Sequence, residues 1–174
     1  NVLSRNALRY ATYAASIDYD GGKYGIGVLS KEKPISVIKV PLPCKSEPRM
    51  MLIVEMDDYY FGNTHFSLHS EDRLKSVEII KKEVEKLNPD KPFFLVGDIN
   101  ATPEMGEVKE LLKLFTTLIS PADYTFPAGS PHSTIDYIFG YNANDDWRVM
   151  ETNGVIAEKV ASDHRPIFAD VLIK

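Results

Sequence analysis

Asp98 and Asn100 stand two apart in Gly97-Asp98-Ile99-Asn100, directly after the apolar run Pro92-Phe93-Phe94-Leu95-Val96. The run reads as a buried strand that Gly97 breaks. Two residues apart in extended chain point the same way, and open α/β sheets place their sites at the carboxyl ends of strands. An ionised Asp98 can take a proton from water or ligate a cation. The Asn100 amide can donate to a phosphate oxygen while its carbonyl orients the water. The plainer reading of the same residues is a turn, since Gly, Asp and Asn all favour one.

Two further segments carry the same kind of groups. Asp136 lies in the apolar stretch Ile135-Asp136-Tyr137-Ile138-Phe139. A carboxylate buried there needs a partner; a solvent-facing position on an edge strand is the plainer alternative. Its natural partner is His164, because an Asp that holds an imidazole fixes its tautomer and favours the imidazolium. In Ser162-Asp163-His164-Arg165-Pro166, Asp163 could ligate a metal while His164 donates to a phosphate. Turn chemistry explains Ser162-Asp163 equally, and Arg165 reads as a surface or ion-pair residue. His65, in Gly62-Asn63-Thr64-His65-Phe66, reads alone as a structural histidine. His69 invites a zinc pair with it, but no cysteine or third histidine lies nearby to complete a site. His132 reads as loop. Tyr24 reads as a packed strand residue or a phosphate contact. Cys44, the one cysteine, reads as a free thiol.

The elements that must position these groups are mostly strands. Tyr24–Ser30 and Ile35–Val40 read as strands around the Lys33-Pro34 turn, and Met50–Met56 with Tyr59–Phe66 as a hairpin through Asp57-Asp58. Leu74, Val77, Ile80, Val84 and Leu87 recur at helical spacing. They predict a helix from Glu71, capped by Ser70 and closed by Asn88-Pro89. Glu104–Leu114 reads as a second helix. Ile135–Phe139, Trp147–Thr152 and Ile167–Ile173 read as late strands.

The chain has 174 residues, 44% hydrophobic and 26% charged, enough for one domain with a sizeable core. Net charge is -5, with 20 Lys and Arg scattered among 25 acids. Long nucleic acid bound through its phosphates calls for a basic face, so this balance favours a small phosphate ester. A bound cation would reverse the local field for such a substrate. No apolar run approaches the roughly 20 residues of a membrane helix. The compartment stays open.

Gly97-Asp98-Ile99-Asn100 with Thr102-Pro103, then Ile135-Asp136-Tyr137-Ile138-Phe139, then Ser162-Asp163-His164-Arg165-Pro166-Ile167, together resemble the endonuclease/exonuclease/phosphatase superfamily. Asn63-Thr64-His65 before an Arg-bearing helix is similar to it too, as is Tyr24-Gly25 ahead of Val28-Leu29-Ser30. Each motif is weak and their order is specific. The nearest group is bacterial phosphodiesterase-like. The resemblance implies an α/β four-layer sandwich, two mixed sheets packed face to face with helices outside. It implies a hydrolase of phosphate esters using Mg²⁺ or Mn²⁺. By that resemblance Asp98 orients or deprotonates the attacking water and Asn100 holds phosphate and water. His164, supported by Asp136, stabilises developing charge, His65 is a second phosphate donor, and Asp163 with Asp98 ligates metal.

The chain departs from the family pattern in its opening. Family members begin with a strand ending in Asn and another ending in Gln-Glu, whose Glu is the principal metal ligand; neither is in this sequence. Residues 1–174 are therefore expected to be one domain of this kind lacking its N-terminal portion, prone to instability or to self-association that completes the sheet. Thr134 stands where many members carry Arg, which weakens a nuclease-specific inference. A second reading is an inactive scaffold or binding module with the same fold. A calcineurin-like phosphoesterase would need an early Asp-x-His and a Gly-Asn-His, and neither occurs. No nucleophile sits in an elbow motif, which leaves a serine or cysteine hydrolase without support.

Overall fold

The computed structural model describes residues 7–141 and 147–174. Its strands are β1 (Tyr10–Tyr19), β2 (Gly22–Ser30), β3 (Ser36–Leu42), β4 (Arg49–Glu55), β5 (Tyr60–His65), β6 (Phe93–Asp98), β7 (Thr116–Thr117), β8 (Asp136–Tyr141), β9 (Trp147–Val155) and β10 (Ile167–Ile173). Among the described residues two helices, α1 (Ser70–Val84) and α2 (Gly106–Leu111), accompany them. The central sheet has six strands in the order β3-β4-β5-β6-β8-β7. β5 and β6 run parallel and the other pairs antiparallel, so the sheet is mixed.

Period-two alternation builds the layers. On β4, Met51 and Ile53 join Val77, Ile80 and Leu111 under the helices. Leu52 and Val54 face the opposite way, against Ala14 of β1 and Val28 of β2. On β6, Phe93 and Leu95 look toward the helices, while Phe94 packs edge-on against Trp147 of β9 at 5.4 Å between ring centres. Both faces of these strands are buried, which is why their sequences read as unbroken apolar runs. Gly140 makes room for the indole, since a Cβ there would lie 2.3 Å from Trp147. The fold is thus an α/β sandwich: helices, a mixed sheet, and two hairpins, β1–β2 and β9–β10, packed on the far face. Tyr59 and Phe61 line both a groove beside β2 and an open apolar cavity of about 650 Å³ beside β10, so neither hairpin covers the sheet between them. No helix among the described residues is long and apolar enough to cross a membrane.

Several boundaries differ from the sequence reading. Gly97 does not end β6; the strand runs on to Asp98 with Gly97 at φ 141°. α2 is only six residues long. α1 closes at Val84, before Asn88-Pro89, and its N-cap is His69 with no side-chain cap bond. Ser67 ties the approach to the helix instead: its hydroxyl accepts the His69 N–H at 3.1 Å and donates to Asp72 at 3.2 Å. Arg73 reaches Glu107 at 2.9 Å and the Leu68 carbonyl at 2.7 Å, tying α1 to α2 and to the loop that leaves β5. Both members of that ion pair are buried, and removing one would strand the other's charge.

Cys44 lies in the strap between β3 and β4. Burial opposes its ionisation, but hydrogen bonds with Ser67, Ser46 and the Glu47 N–H bring the thiol from 9.0 to about 7. The thiolate is the nucleophile. At neutral pH, iodoacetamide is expected to alkylate Cys44 several-fold faster than an unperturbed thiol, and Ser67→Ala to slow it. A rate equal to that of a free cysteine peptide would contradict this.

Candidate active site at the strand ends

Sheet register brings the acids and one imidazole together. His65 of β5 pairs with Asp98 of β6, and Asp98 pairs with Asp136 of β8. Residues paired across neighbouring strands share a face and lie roughly 5 Å apart. All three point to the hairpin side, the side of Phe94 and Ile138. His65 Nε2 stands 3.4 Å from Asp98 Oδ2.

His164 arrives from the loop before β10. Its Nδ1–H donates to Asp136 Oδ2 at 2.8 Å, and its ring lies 4.7 Å from that of Phe126. The loop is latched from both sides: the Ala128 N–H donates to the Asp163 carbonyl and the Arg165 N–H to the Thr125 carbonyl. Tyr137 OH lies within hydrogen-bond reach of the Ala101 and Thr134 carbonyls, holding the chain beyond Asn100 against β8. An open cleft of about 610 Å³ results, lined among others by Tyr24, Arg49, Asn100 and Asp163. The larger cavity beside β10 is mainly apolar and meets this constellation only at Asp136.

The environment drives the charges apart. Burial pushes the Asp98 carboxyl up to about 6, with Asp136 adding to it and the Asn100 N–H partly offsetting it. Burial, and then the Arg49 cation, hold His65 down to about 4, so its ring is neutral at pH 7. His164 goes the other way. Burial opposes its charge, but the hydrogen bond and charge of Asp136, with Asp98 and Asp163, raise it. The cleft thus holds a base poised near neutrality, a neutral imidazole and a second imidazole whose protonated form Asp136 favours, the separation of acid and base that proton-transfer chemistry uses.

Asn100 departs from the sequence reading. It adopts φ 51°, its backbone N–H donates to Asp98 Oδ1 at 2.7 Å, and its side-chain amide donates to the Phe66 carbonyl at 3.0 Å. One amide hydrogen and the side-chain oxygen remain for a ligand. His132 is an exposed loop residue, as read, and His69 is the exposed N-cap of α1. Tyr24 is exposed at the cleft rather than packed. Arg49 was not legible as a site residue: it is a buried cation at the start of β4, 3.1 Å from His65 Nδ1. The signal that could have found it is a charge opening a strand whose next five residues are apolar.

A model of the Endonuclease/Exonuclease/phosphatase family matches residues 2–164. The chain belongs to this family. No curated protein matches it. Solved structures share the family's fold. A conserved protein of unknown function from Enterococcus faecalis is 21% identical with a TM-score of 0.76, covering 95% of this chain and 77% of that one. Bacteroides thetaiotaomicron mannosyl-6-phosphatase is 16% identical at 0.76, covering 94% and 77%. D. rerio TDP2, complexed with a single-strand DNA product, is 16% identical at 0.74, covering 98% and 80%.

For the metal ion implied in this family, Asp98, Asp136 and His164 offer ligand atoms within 4.8 Å of one another. Asp163 lines the same cleft outside that tight group. Mg²⁺ takes one or two carboxylates and completes its shell with water and substrate phosphate; Asp98 and Asp136 of this endonuclease/exonuclease/phosphatase cleft supply that number, without the glutamate that the family pattern adds. One check on the geometry uses Asp136→Asn. It is expected to lower the His164 pKa in an imidazole titration by NMR. A raised imidazole stabilises the fold fully below its ordinary 6.5, and that contribution is lost as pH rises through the native value. The variant should lose this pH dependence; an unchanged titration would contradict the pairing.

Proposed function

We propose that the intact protein is a divalent-metal-dependent hydrolase of phosphate esters, a phosphodiesterase or phosphatase working in the cleft at Asp98. The observation that carries this is the register row His65–Asp98–Asp136 with His164 seated on Asp136. Asp98 and Asp163 would hold Mg²⁺ or Mn²⁺, with Asp136 near enough to share it. The bound cation would polarise a phosphoryl oxygen and neutralise charge.

The chain's own groups do the rest. Asp98, ionised above about 6, takes the proton of a water as its oxygen bonds to phosphorus and the bond to the leaving oxygen breaks. His164, whose protonated form Asp136 favours, faces the negative charge that grows on phosphorus-bound oxygen. Asn100 contributes its free amide hydrogen to the phosphate and its oxygen to the water. Neutral His65 donates from Nε2.

Among substrates, a small phosphodiester, lipid or sugar-phosphate head group is favoured over long nucleic acid. The similar structures include a sugar phosphatase and a protein holding a DNA product, so the fold leaves the choice open. The net charge of -5 supports the small ester. The test pairs Mg²⁺-dependent hydrolysis of bis(p-nitrophenyl) phosphate with a salt titration of duplex binding. Turnover without duplex binding is expected. Strong, salt-dependent duplex binding would overturn the substrate class, and absence of any turnover would favour a binding module.

A further inference from the structure

We propose that Arg49 is a positioning residue that locks His65 in its Nε2–H tautomer and so aims that N–H at Asp98. Arg49 Nη1 lies 3.1 Å from His65 Nδ1. A guanidinium has only hydrogens to offer and stays protonated in proteins. The Nδ1 it meets must therefore present a lone pair, which puts the ring's single proton on Nε2. That nitrogen faces Asp98 Oδ2 at 3.4 Å. The reverse tautomer would set two donors against each other at Arg49 and turn a lone pair toward a carboxylate.

The arginine is itself held in place. Nη1 carries two hydrogens, and the second goes to Glu47 Oε1 at 3.0 Å. Arg49 Nη1 thus meets Glu47 on one side and His65 Nδ1 on the other, and the far nitrogen of that ring faces Asp98. Arg49 is 8% exposed, and its buried Nε finds no acceptor among the described residues. A residue kept only for stability would be spared that cost. The geometry leaves His65 unable to serve as a base: Nε2 is already protonated and Nδ1 is occupied by a cation. It is a fixed donor, available to Asp98 or to a phosphoryl oxygen placed between them.

The use of that donor in turnover rests on the phosphoesterase reading; the tautomer does not. The experiment therefore reads the ring directly, by nitrogen-15 NMR of the labelled protein near neutral pH without metal. Wild type is expected to show His65 with a pyridine-type Nδ1 and a pyrrole-type Nε2. Asp98→Ala, which removes the acceptor, is expected to keep that pattern because Arg49 still imposes it. Adding Arg49→Met should collapse it to a tautomer mixture, and Arg49→Lys in the same background should restore it in part. A pyrrole-type Nδ1 in wild type overturns the proposal without any variant. So does loss of the pattern in Asp98→Ala alone, which would make Asp98 the residue in control. If the tautomer is as stated and bis(p-nitrophenyl) phosphate is not hydrolysed, the functional reading fails and the Arg49 assignment stands.

Discussion

Asp98→Asn is expected to abolish Mg²⁺-dependent phosphodiester hydrolysis while making the protein more stable at neutral pH. Loss of a positioned base costs about 10²–10⁴-fold in rate, and loss of a metal ligand adds to it. The stability gain follows from the carboxyl's raised pKa. A group whose folded pKa lies above its unfolded value stabilises fully below the latter, here 3.8. That contribution is lost as pH rises through about 6. At pH 7 the ionised Asp98 is therefore a burden on the fold, and a neutral amide removes it. Activity has the opposite slope: the base is protonated and idle below about 6, so the rate should climb through that value in weakly bound metal. Saturating Mg²⁺ should move the limb to lower pH, since a cation favours the ionised form. A variant that loses activity by unfolding would melt lower instead, and that result would remove Asp98 from the chemistry.

Gly97→Ala is expected to have the largest effect on folding. Gly97 sits at φ 141°, a conformation that L side chains rarely adopt, and an added Cβ would lie 1.9 Å from the Thr64 carbonyl oxygen. That oxygen belongs to the neighbouring parallel strand, where Thr64 pairs with Gly97, so backbone rather than a flexible side chain must yield. A destabilisation on the order of 3 kcal/mol is expected from strain and displaced pairing. The displaced pair lies one step from His65 and Asp98, so residual folded protein should also be impaired in turnover. Gly106→Ala is the matched control. Nothing lies within 4 Å of its added Cβ, and the substitution should be neutral or stabilise by about 0.4–1 kcal/mol. Denaturant unfolding of both decides; a Gly97→Ala loss under about 1 kcal/mol would contradict this close approach of β5 and β6.

How much of this was legible in the sequence depended on what each residue does. The β4–β5 hairpin, α1, β6, β8 and β10 announce themselves because their apolar residues follow the period of the element that buries them. β1 did not. Its sequence, Tyr10-Ala11-Thr12-Tyr13-Ala14-Ala15-Ser16-Ile17-Asp18-Tyr19, is rich in small residues of low strand preference, and only Ala14 is fully buried. It is a strand because β2 pairs with it along its length, with one register shift between Ala15 and Ile17. The site was legible as residue types at strand ends, and its assembly was not. That assembly comes from registers no local pattern encodes, His65 to Asp98 and Asp98 to Asp136. Asn100 was misjudged in geometry because a left-handed residue breaks the extended alternation. Arg49 escaped because a lone charge before an apolar run reads as solvent-exposed, and only the fold shows that it is buried against an imidazole.

In the proposed reaction water, activated at Asp98, attacks phosphorus in this cleft. The most direct test is hydrolysis of bis(p-nitrophenyl) phosphate by the intact protein with Mg²⁺ in heavy-oxygen water, followed by mass spectrometry of the phosphoryl product. One heavy oxygen on phosphorus, formed only with metal and absent with Asp98→Asn, is the predicted result. Label on the released nitrophenol, or product formation that Asp98→Asn leaves intact, would contradict it.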